Sequence, residues 1–92
     1  MSAVVVFCAS RWDCPSFVAF GPRALTVKVG QTVSWINRER VPHNVVATSG
    51  ARFRSANLLE DQTFSFRPTR AGTIHYVCTI HQGMTGTLVV EA

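Results

Sequence analysis

The sequence predicts an all-β domain, folded as a β-sandwich or a β-barrel. Eight short runs rich in β-branched and aromatic residues recur along the 92-residue chain, and several alternate apolar and polar residues with the period of two expected of a strand. Turn signals containing glycine or proline separate the runs, and no segment shows a capped helical repeat of about ten residues or more. The predicted strands cover residues 4–7, 16–20, 25–29, 32–37, 44–48, 63–67, 73–78 and 87–91.

The individual elements follow from local composition. Residues 3–9 are apolar, but no positive residue precedes them and no A-x-A cleavage site follows, so a first strand is predicted in place of a secretory signal. In the third, fourth and sixth strands, alternation puts these sets on single faces: Leu25, Val27 and Val29; Val33, Trp35 and Asn37; Phe64 and Phe66. Residues 55–62 are predicted as mostly loop, with room for one helical turn. In the seventh strand His75 alternates out of phase with Tyr76 and Cys78, which predicts an exposed imidazole.

Length and charge restrict the function. The chain is predicted to be a single domain, residues 1–92, and it contains no apolar run near the roughly 20 residues that a membrane helix needs. Nine basic residues against five acidic ones give a net charge of +4, which favours acidic partners. The basic residues are scattered and are not interleaved with aromatic residues, so nucleic-acid binding is not predicted.

The stretch HYVCTIHQGMTG, residues 75–86, gathers three metal-ligand side chains. Cys78, His81 and Met84 are spaced C-x2-H-x2-M on a loop between two predicted strands, and His43, which follows Pro42, can supply a fourth ligand. A thiolate, two imidazoles and a thioether match the His2Cys plane with a weak axial Met that is typical of blue copper. Structural zinc usually takes four Cys or His ligands. We therefore predict one copper ion as the cofactor.

These residues lie in a chain that resembles the blue copper proteins (cupredoxins) of the plastocyanin and amicyanin type. The resemblance rests on FVAFGPRALTVKVGQTVSWINRERVPHNVV, residues 17–46, and on AGTIHYVCTIHQGMTGTLVVE, residues 71–91. It implies an eight-stranded Greek-key β-sandwich (cupredoxin-like). It also implies one-electron transfer through a type 1 copper site that cycles between Cu(II) and Cu(I), in an electron carrier and not an enzyme. The metal ligands that it implies are His43, Cys78, His81 and Met84.

The resemblance also concerns the surroundings of the metal. Asn44 and Thr79 are at positions where the family joins the two ligand loops by hydrogen bonds, and His81 is expected to expose its ring edge as the electron port. Two features depart from the family. Ile80 stands where the family has proline, so its backbone N–H is expected to donate to the Cys78 sulfur and to raise the reduction potential. Residues 1–16 do not match the family's short first strand and are expected to be atypical.

Two other functions remain open. A copper transport or storage protein would use the same ligands but would need copper exchange. A copper enzyme would need further histidines for a second centre, of which only His75 is left, so in that case the chain would be a redox domain of a larger copper enzyme. We expect a monomer that exchanges electrons with a redox protein donor and acceptor, in the periplasm or another extracytoplasmic space, with the leader absent from this chain. Cys8 and Cys14 either form a disulfide or remain two free thiols.

Overall fold

The computed structural model describes residues 2–8, 19–21, 23–38, 41–80 and 84–92, and within them the chain forms eight β-strands and no helix. The strands are β1 (Ser2–Cys8), β2 (Ala19–Gly21), β3 (Ala24–Lys28), β4 (Thr32–Asn37), β5 (Val46–Ser49), β6 (Thr63–Phe66), β7 (Gly72–Val77) and β8 (Thr85–Glu91). All eight predicted strands are therefore confirmed, although residues 16–18 of the second lie outside the described residues. None of the described residues belongs to a helix long and apolar enough to cross a membrane.

The strands form two four-stranded sheets, in the orders β2-β1-β4-β6 and β3-β8-β7-β5. β1 runs parallel to β4, and β3 runs parallel to β8, whereas the other neighbours are antiparallel. Parallel neighbours cannot be joined by a tight hairpin, so the chain crosses between the sheets. This arrangement confirms the predicted eight-stranded Greek-key sandwich, and β1 brings part of the atypical N-terminal segment into it.

The core lies between the sheets and follows the predicted alternation, except that Val29 lies in the turn after β3 and is 40% exposed. Val33, Trp35 and Asn37 point inward from β4 and are fully buried. The Trp35 ring contacts Phe53, Phe64 and Tyr76, with centroid separations of 5.4, 5.8 and 5.3 Å. A buried aromatic side chain removes about 150–250 Å² from water, which corresponds to roughly 4–6 kcal/mol, so this cluster stabilises the sandwich substantially.

Tyr76 links the core to the strand that follows the candidate site. It pairs with Gly86 across β7 and β8, and a Cβ atom at residue 86 would collide with the Tyr76 ring, so only glycine fits there. The Tyr76 hydroxyl is buried. Burial raises the pKa of Tyr76 to about 12, and the neighbouring Trp35 indole lowers it in part.

The connection between β5 and β6 positions the candidate site. It contains no helix, as predicted for residues 55–62, and it folds back through two isolated bridges, Val46 with Arg54 and His43 with Leu58. Because both bridges are antiparallel, the connection runs alongside the segment that carries His43. This segment is thereby fixed by backbone hydrogen bonds although it lies outside the named strands.

Candidate metal centre

Cys78 and Met84 lie at the loop end of the β7–β8 hairpin, just beyond the last paired residues. β7 and β8 are antiparallel, and their last pair is Val77 with Thr85, so Cys78 leaves one strand where Met84 enters the other. The Cys78 amide donates to the Met84 carbonyl at 3.0 Å. Both side chains are buried, with 3% and 2% of their surface exposed. The strand pairing thus brings a thiol and a thioether six residues apart in sequence to one point.

The His43 side chain lies next to Cys78, on a segment that precedes β5. The His43 backbone exchanges two hydrogen bonds with Leu58, at 3.1 and 2.7 Å, and its side chain is fully buried. The segment leads into β5, which pairs with β7, so the imidazole lies beside the end of β7. His43 Nδ1 is 3.8 Å from Cys78 Sγ. The predicted proximity of these two side chains, 35 residues apart in sequence, is therefore present.

This separation fits two ligands of one metal ion. Bonds of about 2.0 Å to an imidazole nitrogen and about 2.3 Å to a thiolate sulfur, at an angle near 120°, place the two atoms roughly 3.5–3.9 Å apart. In the described part of the chain no three His, Cys, Asp or Glu side chains form a group able to hold a metal. The predicted ligand set adds the Met84 thioether and His81; His81 lies outside the described residues, so its role stays a prediction. Soft sulfur donors with imidazole are suited to copper.

Asn44 connects the two ligand segments. Its backbone amide is directed at Cys78 Sγ, 3.5 Å away. Its side chain donates from Nδ2 to Thr79 Oγ1 at 2.7 Å and accepts at Oδ1 from the Thr79 amide at 2.8 Å. The hydrogen bonds predicted between these two residues are thus present, and they fix the Cys78 segment against the His43 segment.

Two further buried polar residues hold the His43 segment, and the sequence analysis did not identify their contacts. Asn37 Nδ2 donates to the carbonyls of Val41 and Leu58, at 2.9 and 2.7 Å. Ser55 Oγ accepts from the Val45 amide at 2.9 Å and donates to a neighbouring carbonyl at 2.8 Å. The alternation of β4 places Asn37 on the buried face, and a buried amide needs hydrogen-bond partners, so the sequence did indicate that Asn37 makes such contacts.

Apolar side chains surround this end of the molecule. Val41, Leu59 and Ile80, which are three of the five exposed large apolar residues in the described part of the chain, flank His43, Leu58 and Cys78 in sequence. Their exposed fractions are 45%, 58% and 41%. We refer to Val41, Leu59 and Ile80 as the apolar rim. The predicted donation from the Ile80 amide to Cys78 remains a prediction.

His75 lies away from this centre. It is exposed on the outer face of β7, as predicted, with its Nδ1 3.3 Å from Thr87 Oγ1. The Cys8 and Cys14 side chains are outside the described residues, so a disulfide between them stays a prediction.

Comparison with known proteins places this geometry in a family. The family described as copper binding proteins of the plastocyanin/azurin type matches residues 8–91, starting inside the segment predicted to be atypical. An amicyanin from Paracoccus denitrificans is 46% identical over 71 residues, covering 73% of this chain and 54% of its own length. A plastocyanin from Scenedesmus fuscus is 36% identical over 87 residues, covering 80% and 88%.

A solved structure agrees with the sequence relatives. A purple cupredoxin from Nitrosopumilus maritimus superimposes with a TM-score of 0.85 at 26% identity, covering 97% of this chain and 99% of its own. The chain spans about half the length of the Paracoccus amicyanin and nearly all of the Nitrosopumilus protein. The family match covers residues 8–91, and the buried thiol and imidazole lie within them. The chain therefore belongs to the plastocyanin/azurin family of copper binding proteins.

Proposed function

We propose that this chain binds one copper ion through His43, Cys78, His81 and Met84 and transfers one electron at a time between redox proteins. The observation that carries the proposal is the 3.8 Å separation of His43 Nδ1 and Cys78 Sγ, both buried, next to the buried Met84. When bound, copper supplies a centre that cycles between Cu(II) and Cu(I). Family membership supports this function over other uses of the same fold.

The surrounding residues favour electron transfer because they restrict movement of the ligands. Asn44 joins the two ligand segments, and the Leu58 bridge and Asn37 hold the His43 backbone. The burial of His43, Cys78 and Met84 excludes water from three of the four proposed ligands. A site that is rigid before the metal arrives changes little between oxidation states, and small rearrangement permits fast transfer.

The apolar rim suggests where a partner docks. Val41, Leu59 and Ile80 are exposed beside the ligand segments, and His81 follows Ile80 directly in the sequence. We propose that His81 is the electron port and that a redox donor and acceptor dock on the rim in turn. The net charge of +4 favours acidic partners, and we propose a monomeric carrier of one cupredoxin-like domain in the periplasm or another extracytoplasmic space.

The principal test is the visible spectrum of the metal-free chain after one equivalent of Cu(II) is added. An intense thiolate-to-copper charge-transfer band is expected, at a stoichiometry of one copper per chain, and Cys78→Ala should abolish it. His75→Ala is the matched control, because His75 is exposed on β7 and is not a proposed ligand, so this variant should keep the band. Copper binding without the band would refute a blue copper centre.

A copper transport or storage protein is the alternative that uses the same ligands. A carrier that must release copper needs ligands that move apart, whereas the buried and hydrogen-bonded segments here resist this. Removal of copper by a competing chelator should therefore be slow compared with electron exchange with a small redox reagent. Rapid removal from the intact chain, with slow electron exchange, would favour transport or storage.

A redox domain of a larger copper enzyme would share the electron-transfer site. Beyond the proposed ligands only His75 remains, and a second copper centre needs several histidines. We therefore propose that the chain itself is not an enzyme. Binding of a second copper ion that His75→Ala abolishes would contradict this proposal.

A further inference from the structure

A cleft lies near the start of β7, whereas Cys78 follows the end of that strand. Its volume is about 590 Å³, and its lining includes Gly50, Arg52, Phe66, Pro68, Arg70 and Ile74. Ile74 is four residues from Cys78 along β7, which corresponds to roughly 13 Å at about 3.3 Å per residue. A molecule bound in this cleft would therefore not contact the candidate metal centre.

The cleft lining includes two arginines, and within the described residues neither forms an ion pair with a carboxylate. Arg52 and Arg70 are exposed, and the only ion pair within the described residues joins Arg38 to Asp61. The two carboxylates between Arg52 and Arg70 in sequence, Glu60 and Asp61, follow Leu58, near the candidate metal centre. Two arginines in the lining of one cleft, without an ion pair to any described carboxylate, provide the positive charge that an anion site requires.

Backbone and apolar groups complete the lining. No hydrogen bond from the amides of Arg52, Thr69 and Arg70 to a described residue is present, and all three residues line the cleft. Pro68 and Ile74 are buried and Phe66 is half-buried, which gives the cleft an apolar wall. Glycine is required at residue 50, at the edge of the cleft, because its φ is +84° and a Cβ atom there would collide with the Thr73 carbonyl.

We propose that this cleft binds a phosphate group attached to an apolar body, with Arg52 and Arg70 as the anchors. Two guanidinium forks offer at least four N–H donors and two charges, and a phosphate monoester near pH 7 carries a charge of about −1.5 to −2. A carboxylate carries one charge and occupies one fork, so it matches the pair less well. The volume lies within the roughly 300–1,000 Å³ of small-molecule sites, and Phe66 and Pro68 would contact the apolar body.

The first experiment follows the backbone amide signals of the full chain, which is diamagnetic both metal-free and with Cu(I), during titration with phenyl phosphate. Saturable shifts at Arg52, Thr69 and Arg70 are expected. Inorganic phosphate, which lacks the apolar body, should bind more weakly, and phenol, which lacks the phosphate, should not shift these signals. Equal shifts with phenol, or no saturable shift with phenyl phosphate, would overturn the proposal.

Matched variants distinguish binding by Arg52 and Arg70 from attraction to the overall positive charge of the chain. Arg52→Gln and Arg70→Gln should each weaken phenyl phosphate binding about tenfold or more, since each removes charge-assisted hydrogen bonds. Arg54→Gln removes an exposed arginine of the same loop that does not line the cleft, and it should change the affinity by no more than about twofold. Unchanged core amide signals show that each variant is folded. Equal losses in all three variants would mean diffuse attraction and would overturn the site.

A second arm identifies the source of the phosphate. Phosphatidylcholine vesicles with and without phosphatidic acid are tested for binding to the same chains. Binding that requires phosphatidic acid and is lost in Arg52→Gln supports the site and assigns the phosphate to a lipid headgroup. Binding of phenyl phosphate without vesicle binding supports it and assigns a soluble ester, whereas binding to neither overturns it. None of these results depends on copper.

Discussion

The contact between Asn44 and Thr79 provides a quantitative test of how the candidate metal centre is organised. Its two hydrogen bonds, at 2.7 and 2.8 Å, join the His43 and Cys78 segments. A typical hydrogen bond contributes about 0.5–1.5 kcal/mol net, so Asn44→Ala should lower the free energy of unfolding of the metal-free protein by about 1–3 kcal/mol. Guanidinium denaturation measures this difference.

A double-mutant cycle shows whether the loss comes from this contact. Thr79→Val removes only the hydroxyl acceptor and should cost about 0.5–1.5 kcal/mol alone, but much less when Asn44 is already alanine. Asn57→Ala is the control, because Asn57 is exposed in the β5–β6 connection, and it should change the free energy by less than about 0.5 kcal/mol. Additive losses from Asn44→Ala and Thr79→Val would refute the contact as the connection between the segments.

The same variant tests the link to copper. If the contact holds the ligand segments in register, Asn44→Ala should also weaken copper binding, on the order of 10–100-fold as found for groups that orient metal ligands. A competing chelator measures this change. Unaltered affinity together with lost stability would show that the contact supports only the fold.

Three further predictions concern residues near or beyond this centre. Ile80→Pro removes a backbone N–H, so voltammetry of the copper form should give a lower reduction potential; an unchanged or higher potential with an intact spectrum would show that Ile80 does not donate to Cys78. Burial raises the pKa of Tyr76 from 10.0 to about 12, so the native state holds the phenol proton more tightly than the unfolded state does. The free energy of unfolding should therefore fall by roughly 2–3 kcal/mol as the pH rises from 10.0 to about 12. Tyr76 is the single tyrosine, so tyrosinate absorbance isolates it, and a native midpoint near 10 would contradict the prediction. Alkylation without reductant, followed by mass measurement, should leave Cys8 and Cys14 unlabelled if they form a disulfide, whereas two labels on these residues would exclude it. A disulfide that closes so short a loop would raise the free energy of unfolding by roughly 2 kcal/mol.

The strands could be predicted from the sequence because their signals are local. Alternation in β4 and β7 assigns Trp35 and Tyr76 to the core and His75 to the surface, and each assignment agrees with the structure. The short spacing of Cys78 and Met84 also needs no distant contact, since two strands joined by a short loop bring its ends together. The proximity of His43 rested on the resemblance to a family, because spacing alone permits it without requiring it.

Contacts between distant segments could not be predicted from the same signals. Leu58 looks like an ordinary loop residue, and its backbone pairing with His43 depends on how the β5–β6 connection folds back. The amide of Asn37 reaches Val41 and Leu58 only when the ends of β4 and this connection are in place. The Arg52–Arg70 cleft likewise joins two separate loops, so the scattered arginines of the sequence did not indicate it.

The position of β7 within its sheet determines how the candidate site opens. β7 is paired on both sides, with β8 and β5, whereas β5 is a four-residue edge strand with an irregularity between Ala47 and Ser49. Amides of β7 should therefore exchange with solvent deuterium more slowly than those of β5, because edge strands detach at a lower free-energy cost. Local opening would release His43 while Cys78 stays attached to the protected strand, so we expect a metal held by the proposed ligands to leave from the imidazole side.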